Sequence, residues 1–343
     1  MSKWNIVARF FTSTEANWLD DFIDDPDLSF RKITVTRDAS WHKARKPRTS
    51  GQQWLNVLGQ SWRAFQGRPD GIITCFPQLA MTVAILKRLT FRRTRLVAHN
   101  FNLGGFPGGR KQRLARFAAQ GIDVFIVHSP LEVGSYADYL GIPAQRVKFV
   151  PLQRGRIRIA RVEDTATPFL LAMGSAGRDY QTLIAAADAL GIRTIIVTRK
   201  DIIESLPKSE HVTFRHGLSE AECLELLASA RLSVVPLGNL KTASGQVTFI
   251  NSMMLGVPLI ATRCPGTEGY IEDRITGFLV APFDRAGMVQ AITTLWNDAP
   301  LRVELADRER VFAHAHLSDE AAAESLRGLL RAIRQPAKRI EDK

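Results

Sequence analysis

The sequence predicts an α/β protein built from two doubly wound parallel sheets. Three observations carry this. Residues 232–280 read strand, polar loop, helix, strand and a further strand, which is the unit of a parallel sheet with helical crossovers. Short apolar runs alternate with helical patterns along most of the chain. The chain is 343 residues long, enough for two ordinary domains, and residues 153–167 (QRGRIRIARVEDTAT) are polar and irregular, as an interdomain linker would be.

Taken in order, residues 4–11 form an apolar strand. The loop after it, Thr12-Ser13-Thr14-Glu15, has no glycine and is assigned no phosphate. Residues 17–23 form a helix carrying Trp18, Leu19 and Phe22, and residues 30–35 a second strand. Residues 41–48 (WHKARKPR) are basic. An amphipathic helix follows with Trp54, Leu55, Leu58, Trp62 and Phe65. This pair reads either as a core face beside a solvated basic loop or as a membrane-contacting surface, aromatic at headgroup level and basic toward anionic lipid.

Residues 71–75 are a strand and 79–89 a helix, which runs into the basic stretch 88–95 (RLTFRRTR). The strand at 95–98 ends on His99-Asn100-Phe101-Asn102. A glycine-rich loop, residues 104–109, leads into a basic helix at 111–119. A strand at 122–128, a helix opened by Ser129 and a strand at 147–151 close the first domain, residues 1–155.

The second domain, residues 168–312, opens with a strand at 169–173 and a helix at 178–190. Strands follow at 194–197 and 212–214. Ser219 and Glu222 stand at capping-box spacing at the head of a helix over 219–228. The strand at 232–237 feeds a polar loop, 238–244, and then a helix with Ser244 as its N-cap. Val247, Ile250 and Met254 share one face of that helix; Gly256 ends it and Pro258 prevents its restart. Strands at 259–262 and 277–280 complete the sheet. Residues 313–343 hold a last helix, over 313–333, and a basic end.

Composition narrows the function classes. Hydrophobic content of 45% and charged content of 23% are those of a soluble globular chain. No run reaches membrane-span length, and the N-terminus lacks a signal-peptide pattern. Cys75, Cys223 and Cys264 are widely spaced in apolar surroundings and read as buried reduced thiols of a cytosolic protein. No Asp-x-Asp pair ends a strand and no His/Cys cluster has metal spacing, so no metal is expected. Charge is uneven: residues 1–160 hold 25 Lys and Arg against 11 Asp and Glu, the remainder 21 against 23. The basic half calls for an acidic partner, such as an anionic membrane surface or a lipid diphosphate, or serves solubility. No nucleic-acid motif accompanies it.

The loop at 238–244 lies at the carboxyl end of a strand and feeds a helix N-terminus. Free amides and the helix dipole suit an anion there, and in such a sheet the usual anion is a nucleotide phosphate. The small-residue loop, Met253-Met254-Leu255-Gly256-Val257-Pro258, the strand Leu259-Ile260-Ala261-Thr262 and Thr276-Gly277-Phe278-Leu279-Val280 resemble, in that order, the donor region of GT-B glycosyltransferases, above all the retaining family-four enzymes. The resemblance implies two Rossmann-like domains facing across a cleft, with a final helix crossing back to the first domain.

It also implies a retaining transfer of a hexose from a nucleotide diphosphate sugar to a lipid-linked or cell-surface glycan acceptor, without a metal or other cofactor. The expected route is front-face displacement assisted by the leaving phosphate. The expected location is cytoplasmic, peripheral on the inner face of the membrane. The matching catalytic positions are His99, at a strand end in the first domain, and Arg178, where the family has a lysine. Arg178 would neutralise the departing diphosphate. The donor-binding positions are Gly174, Ser175, Arg199, His216, Lys241, Ser244, Gly245, Gln246 and Asn251.

The chain departs from the family at three places. The two glutamates, eight positions apart, are Ala243 and Asn251, and Ser175 replaces an arginine. Asn251 can bond a ribose hydroxyl without charge, and a small shift in the loop would bring Ser244 or Gln246 into the other role. These departures leave open an alternative, a GT-B scaffold or binding subunit that does not catalyse.

Overall fold

The computed structural model describes residues 1–35 and 51–334. The basic stretch 41–48, with its Trp41, Lys43, Arg45, Lys46 and Arg48, lies outside them, as does the side chain of Trp54. The chain divides into two compact units, Met1–Val150 with the chain from Ala322 onward, and Pro151–Ala321.

The first unit is a six-stranded sheet in the order β2-β1-β3-β4-β5-β6, every pair parallel. Its strands are β1 (Ser2–Val7), β2 (Leu28–Ile33), β3 (Gly71–Cys75), β4 (Arg95–His99), β5 (Val124–Val127) and β6 (Val147–Phe149). Helices α1 (Gly51–Arg63), α2 (Pro77–Leu89), α3 (Arg110–Ala119) and α4 (Glu132–Leu140) precede β3, β4, β5 and β6 in turn. Neighbouring strand residues point to opposite faces. Ile72, Leu96 and Phe125 pack under these helices, while Ile73, Val97 and Ile126 pack on the other face against Ala323, Leu326 and Leu330. Those three belong to α11 (Asp319–Arg334), whose Arg331 Nε is 2.7 Å from Asp25 Oδ2. The start of β3 must be glycine: a Cβ on Gly71 would lie 2.2 Å from the Trp4 indole.

The second unit repeats the plan in the order β12-β11-β10-β7-β8-β9, again all parallel. Its strands are β7 (Leu170–Met173), β8 (Thr194–Val197), β9 (Val212–Arg215), β10 (Leu232–Val235), β11 (Leu259–Thr262) and β12 (Phe278–Val280). Helices α5 (Tyr180–Leu190), α6 (Lys200–Ile203), α7 (Glu220–Ser229) and α8 (Gln246–Leu255) connect them; α9 (Arg285–Asn297) and α10 (Ala299–His316) follow β12. One face buries Leu183, Ile184, Ile292 and Leu295; the other buries Phe169, Leu171, Leu227 and Val257. Ser219 and Glu222 form the capping box at the head of α7, and Gly256 ends α8 at φ 65°.

The last segment is not one helix over 313–333: α10 runs to His316 and α11 starts at Asp319. Four further sequence expectations change. Residues 17–23 hold only a 3₁₀ turn, Leu19–Phe22, with Asp21 accepting from the Trp18 amide. Ser129 does not open α4; its carbonyl accepts from the Glu132 amide one turn earlier. The core-face reading of the amphipathic helix fails for Leu55, Leu58 and Trp62, which α1 exposes while burying Val57, Gln60 and Ser61; Phe65, just past the helix, is buried as that reading expects. A strip Gln60 and Ser61 can share with the core is possible because Gln60 donates to the Ala8 carbonyl at 3.0 Å.

The fourth change concerns residues 153–167. They are irregular as expected, but they are strapped to the second unit rather than loose. Val162 and Asp164 amides donate to the Ala228 and Ser229 carbonyls at 3.1 and 2.9 Å. Arg231 Nε pairs with Glu163 at 2.7 Å, Arg161 donates to the Gly256 carbonyl at 2.5 Å, and Ile157 and Ile159 pack on the core. Polar composition signalled a lack of regular structure, which differs from a lack of contacts.

Candidate functional site

In the second unit the site starts where β7 ends. Gly174 (φ 112°) turns the chain, and a Cβ there would lie 2.3 Å from Arg178 Nη2. Tyr180 holds the turn by donating to the Gly174 carbonyl at 2.6 Å. Gly177 (φ 62°) is equally confined, since its Cβ would meet Asn239 at 2.7 Å. The backbone bond from Gly238 to the Gly177 carbonyl, 2.9 Å, ties this turn to the loop after β10.

These glycines let the Arg178 side chain fold back over the strand end. Its Nε donates to the Met173 carbonyl at 3.0 Å, Nη1 to the Ala176 carbonyl at 2.8 Å, and Nη2 to Thr248 Oγ1 at 3.0 Å. Thr248 stands in the first turn of α8, so the guanidinium sits beside that helix N-terminus. The ion pairs of the second unit among the described residues use Arg154, Arg161, Arg199, Arg231, Arg263, Arg308 and Arg310, and His211. Arg178 is in none of them. Desolvation by burial lowers its pKa, yet a guanidinium stays charged. A half-buried cation balanced only by neutral oxygens, next to the positive end of a helix, favours an anion.

The head of α8 differs from the expectation in one respect. Its N-cap is Gly245, at φ 90°, and Ser244 makes no capping bond. Ser244 Oγ is buried without a partner, and a Cβ on Gly266 would lie 2.2 Å from the Ser244 carbonyl oxygen. The close approach of Gly266 fixes the Ser244 backbone, and Leu237 packs against Gly245 so tightly that a Cβ would be 3.0 Å away. Gln246, the first helical residue, is buried.

The structure thus gathers Gly174, Arg178, Ser244, Gly245 and Gln246 at the ends of β7 and β10, with Ser175 half-buried on the turn. It does not join the others to them directly. Arg199 and His216 follow β8 and β9, further along the sheet; Arg199 is exposed and paired with Asp201 at 2.5 Å, and His216 is exposed. Lys241 is exposed in the loop shaped by Asn239, which accepts from its amide at 3.0 Å. Ala243, at the first of the family's glutamate positions, is buried. Asn251, at the second, is buried and accepts from Arg154 Nε at 2.9 Å, while Arg154 also pairs with Glu220. Sequence reasoning missed Thr248, Tyr180 and Arg154, whose partners lie 70, 6 and 97 residues away. Only Tyr180, two positions after Arg178, had a local signal.

In the first unit His99 ends β4 and is 1% exposed. Its ring meets Trp18 edge-on at 5.3 Å and His128 at 5.8 Å between centroids. His128 Nδ1 bonds the Val150 carbonyl at 2.8 Å, and its Nε2 meets the side chain of Asn100, which adopts φ 53°. Burial, then the neighbouring His128, push the His99 pKa down to about 3 despite an opposing hydrogen bond to Asn100. Burial takes His128 to about 4, partly offset by its bond to Val150. His99 is therefore a neutral imidazole whose Nδ1 makes no hydrogen bond. It suits hydrogen bonding and not proton transfer at neutral pH. His128 and Asn100 completed this arrangement without being singled out as site residues.

Known proteins share part of this sequence and its fold. Residues 173–298 match the family Glycosyl transferases group 1. A 106-residue stretch is 30% identical to the alpha-D-kanosaminyltransferase of Streptomyces kanamyceticus, over 29% of this chain and 28% of that protein. The sucrose-phosphate synthase of Thermosynechococcus elongatus superposes with a TM-score of 0.70 at 16% identity, covering 97% of this chain and 99% of its own. Anabaena Alr3699/HepE in complex with UDP and glucose gives 0.68 at 15%, covering 97% and 100%. The fold is GT-B, and the chain resembles the group 1 glycosyltransferases. Within this GT-B chain the family match begins at Met173, one residue before the Arg178 turn, and spans all of α8. Among the described residues no group of three or more His, Cys, Asp and Glu is placed to hold a metal ion, and no helix is long and apolar enough to cross a membrane. Cys75 and Cys264 are buried free thiols, while Cys223 is only half-buried.

Proposed function

We propose that this protein is a retaining glycosyltransferase that takes a hexose from a nucleotide diphosphate sugar and passes it to a lipid-linked or cell-surface glycan. The observation that carries the reading is Arg178: a half-buried cation with no carboxylate among its hydrogen-bond partners, held beside the N-terminus of α8. HepE has been captured with UDP, UDP-glucose, and UDP with glucose, which supports a nucleotide-sugar donor here.

In this proposal the donor diphosphate lies against Arg178 and the head of α8, with Gly174, Ser175, Gly245 and Gln246 offering close backbone. The bond from the sugar's anomeric carbon to the phosphate oxygen breaks. The acceptor hydroxyl bonds that carbon from the same face and gives its proton to the leaving phosphate. Charge grows on the diphosphate as it departs, and a fixed cation with oriented amides stabilises that state more than the bound donor. His99, held neutral, contributes a hydrogen bond to the sugar. Asn251 meets the ribose, with Arg154 and Glu220 fixing its amide. Arg199, His216 and Lys241 contribute at the outer rim. The enzyme works on the cytoplasmic side, peripheral on the inner face of the membrane.

A second reading, a GT-B scaffold that binds a nucleotide without catalysing, is favoured by the buried Ala243 and by the engagement of Asn251 with Arg154. A thermal-shift panel of UDP, GDP and ADP, followed by turnover of the matching sugar nucleotides against a lipid extract, separates the two. A ligand that binds only the folded protein raises its melting temperature. A shift with turnover supports the enzyme, a shift without turnover supports the scaffold, and no shift with any nucleotide removes both.

A further inference from the structure

The first unit contains an apolar groove that neither histidine touches. It lies between α2 and α3, has a volume of about 310 Å³, and is lined by Met81, Ile85, Leu103, Leu114, Ala115 and Tyr139 among others. Both helices begin at the carboxyl edge of the sheet, α2 after β3 and α3 after the glycine-rich loop that follows β4. The lining runs from Pro77 to Ile85 on one helix and from Lys111 to Ala118 on the other. At 1.5 Å per residue that is a channel about 12 Å long, leading from the reaction edge of the sheet outward.

Two of its lining hydroxyls are already engaged. Thr82 donates to the Gln78 carbonyl at 2.8 Å, and Tyr139 donates to the Pro107 carbonyl at 2.7 Å. The loop roof is pinned by that bond and by Phe106, which meets Tyr136 edge-on at 5.2 Å and Tyr139 at a tilt at 5.1 Å. Apart from Gln78 and Lys111, what remains inside is hydrocarbon, the lining that holds an apolar ligand.

The rim has the opposite character. Helix α3 (RKQRLARFAA) contains no acidic residue. The ion pairs of the first unit among the described residues engage Lys32, Lys87, Arg327 and Arg331, and leave Arg110, Lys111 and Arg113 outside. Lys111 itself lines the groove. Along the same helix the surface is apolar again: Leu114 is 59% exposed and Phe117 41%, with the Arg88 guanidinium 4.5 Å over the Phe117 ring. A hydrocarbon channel with a cationic mouth and an amphipathic outer lip is complementary to a single-chain amphiphile bearing phosphate.

We propose that the α2–α3 groove holds the hydrocarbon chain of a phosphate-bearing lipid, with Lys111 and its arginine neighbours on the phosphate, and that this lipid is the acceptor. Calling it the acceptor rests on the transferase reading; the binding of the chain does not.

The test uses the full chain and dodecyl phosphate, kept below its micelle-forming concentration, followed by titration calorimetry. Binding is expected, weakening about fourfold for each methylene removed from the probe. Ala115→Phe, which fills the groove, is expected to weaken binding at least tenfold, and Lys111→Glu about tenfold. Both variants keep the nucleotide-induced thermal shift of the second unit. Should Ala115→Phe fail to fold, a diazirine-tailed alkyl phosphate on the unaltered protein decides, with label expected on Met81 and Leu114. Binding indifferent to chain length, to Ala115→Phe or to Lys111→Glu, or label spread elsewhere, overturns the proposal. Chain binding in a protein that turns over no sugar nucleotide would sink the transferase reading and leave the groove standing.

Discussion

The two units are built on the same plan, six parallel strands with candidate site residues at their carboxyl edge, yet the edges are electrostatic opposites. At the ends of β4 and β5 the first unit seals His99 and His128 among Trp18, Asn100 and the Val150 carbonyl, and burial strips both of charge. At the end of β7 the second unit folds an arginine over its own strand and leaves it charged. The difference lies in the residue type. An imidazole escapes the cost of burial by losing its proton, whereas a guanidinium cannot, and must find dipoles or an anion. One edge is therefore suited to directing a neutral hydroxyl, the other to holding a phosphate.

The sharpest way to break this contrast is Arg178→Ala. It is expected to lower turnover about 100-fold or more while weakening nucleoside binding much less, read from kcat and a UDP thermal shift. Unchanged turnover in a folded variant would take Arg178 out of the site. Gly174→Ala tests the same edge through the backbone. A Cβ at φ 112°, 2.3 Å from Arg178 Nη2, should cost about 1–3 kcal/mol in denaturant midpoint analysis and displace the guanidinium, so turnover falls with it. A stable and active Gly174→Ala protein would mean that Arg178 does not need its folded-back position.

The neutral edge makes a prediction about pH. His99 and His128 have folded pKa values of about 3 and 4, below the ordinary 6.5. Between these limits the unfolded chain binds protons that the folded one does not, so stability falls as pH drops from about 6.5 toward 4. Urea midpoints across that range should decline, and His128→Asn should flatten the decline; an unchanged slope would refute the assignment. His99→Ala, in the same series, is expected to lower transfer about tenfold and leave the UDP shift intact.

The smallest effect refines the comparison. Glu309 in α10 is fully buried and accepts from the Leu259 amide at 3.0 Å, and burial raises its pKa well above the ordinary carboxyl value. Here the folded state binds the extra proton, so stability falls as pH rises above the unfolded carboxyl value. Glu309→Gln should remove that slope and leave the protein about 1 kcal/mol more stable at pH 8. The second unit would then hold a neutralised group as well as a permanent charge, confirming that burial and residue type, not the unit, decide.

How much of this was legible depended on the range of the interaction. Strands such as 71–75 and 232–235 were readable because a parallel sheet buried on both faces demands unbroken apolar runs. The capping box Ser219–Glu222 and the stop at Gly256 were readable because partner and signal lie within a few residues. Arg178 was readable through its neighbours Gly174 and Ser175 and the family resemblance. The strapping of residues 153–167 was not, since Glu163 finds Arg231 only after β10 has docked. The cap of α8 moved from Ser244 to Gly245 because Leu237 and Gly266 press on that turn from distant parts of the chain.

The sequence by itself determined the two sheets and the helices that cross them, because hydrophobic period and turn chemistry act over a few residues. Only the tertiary structure decided which groups on those edges are charged. It paired Arg178 with Thr248 across 70 residues, closed His99 under Trp18, turned Leu55, Leu58 and Trp62 to solvent, and left a hydrocarbon channel between α2 and α3. Protonation, partner and exposure are set by what surrounds a side chain, and those surroundings come from segments far apart in the chain.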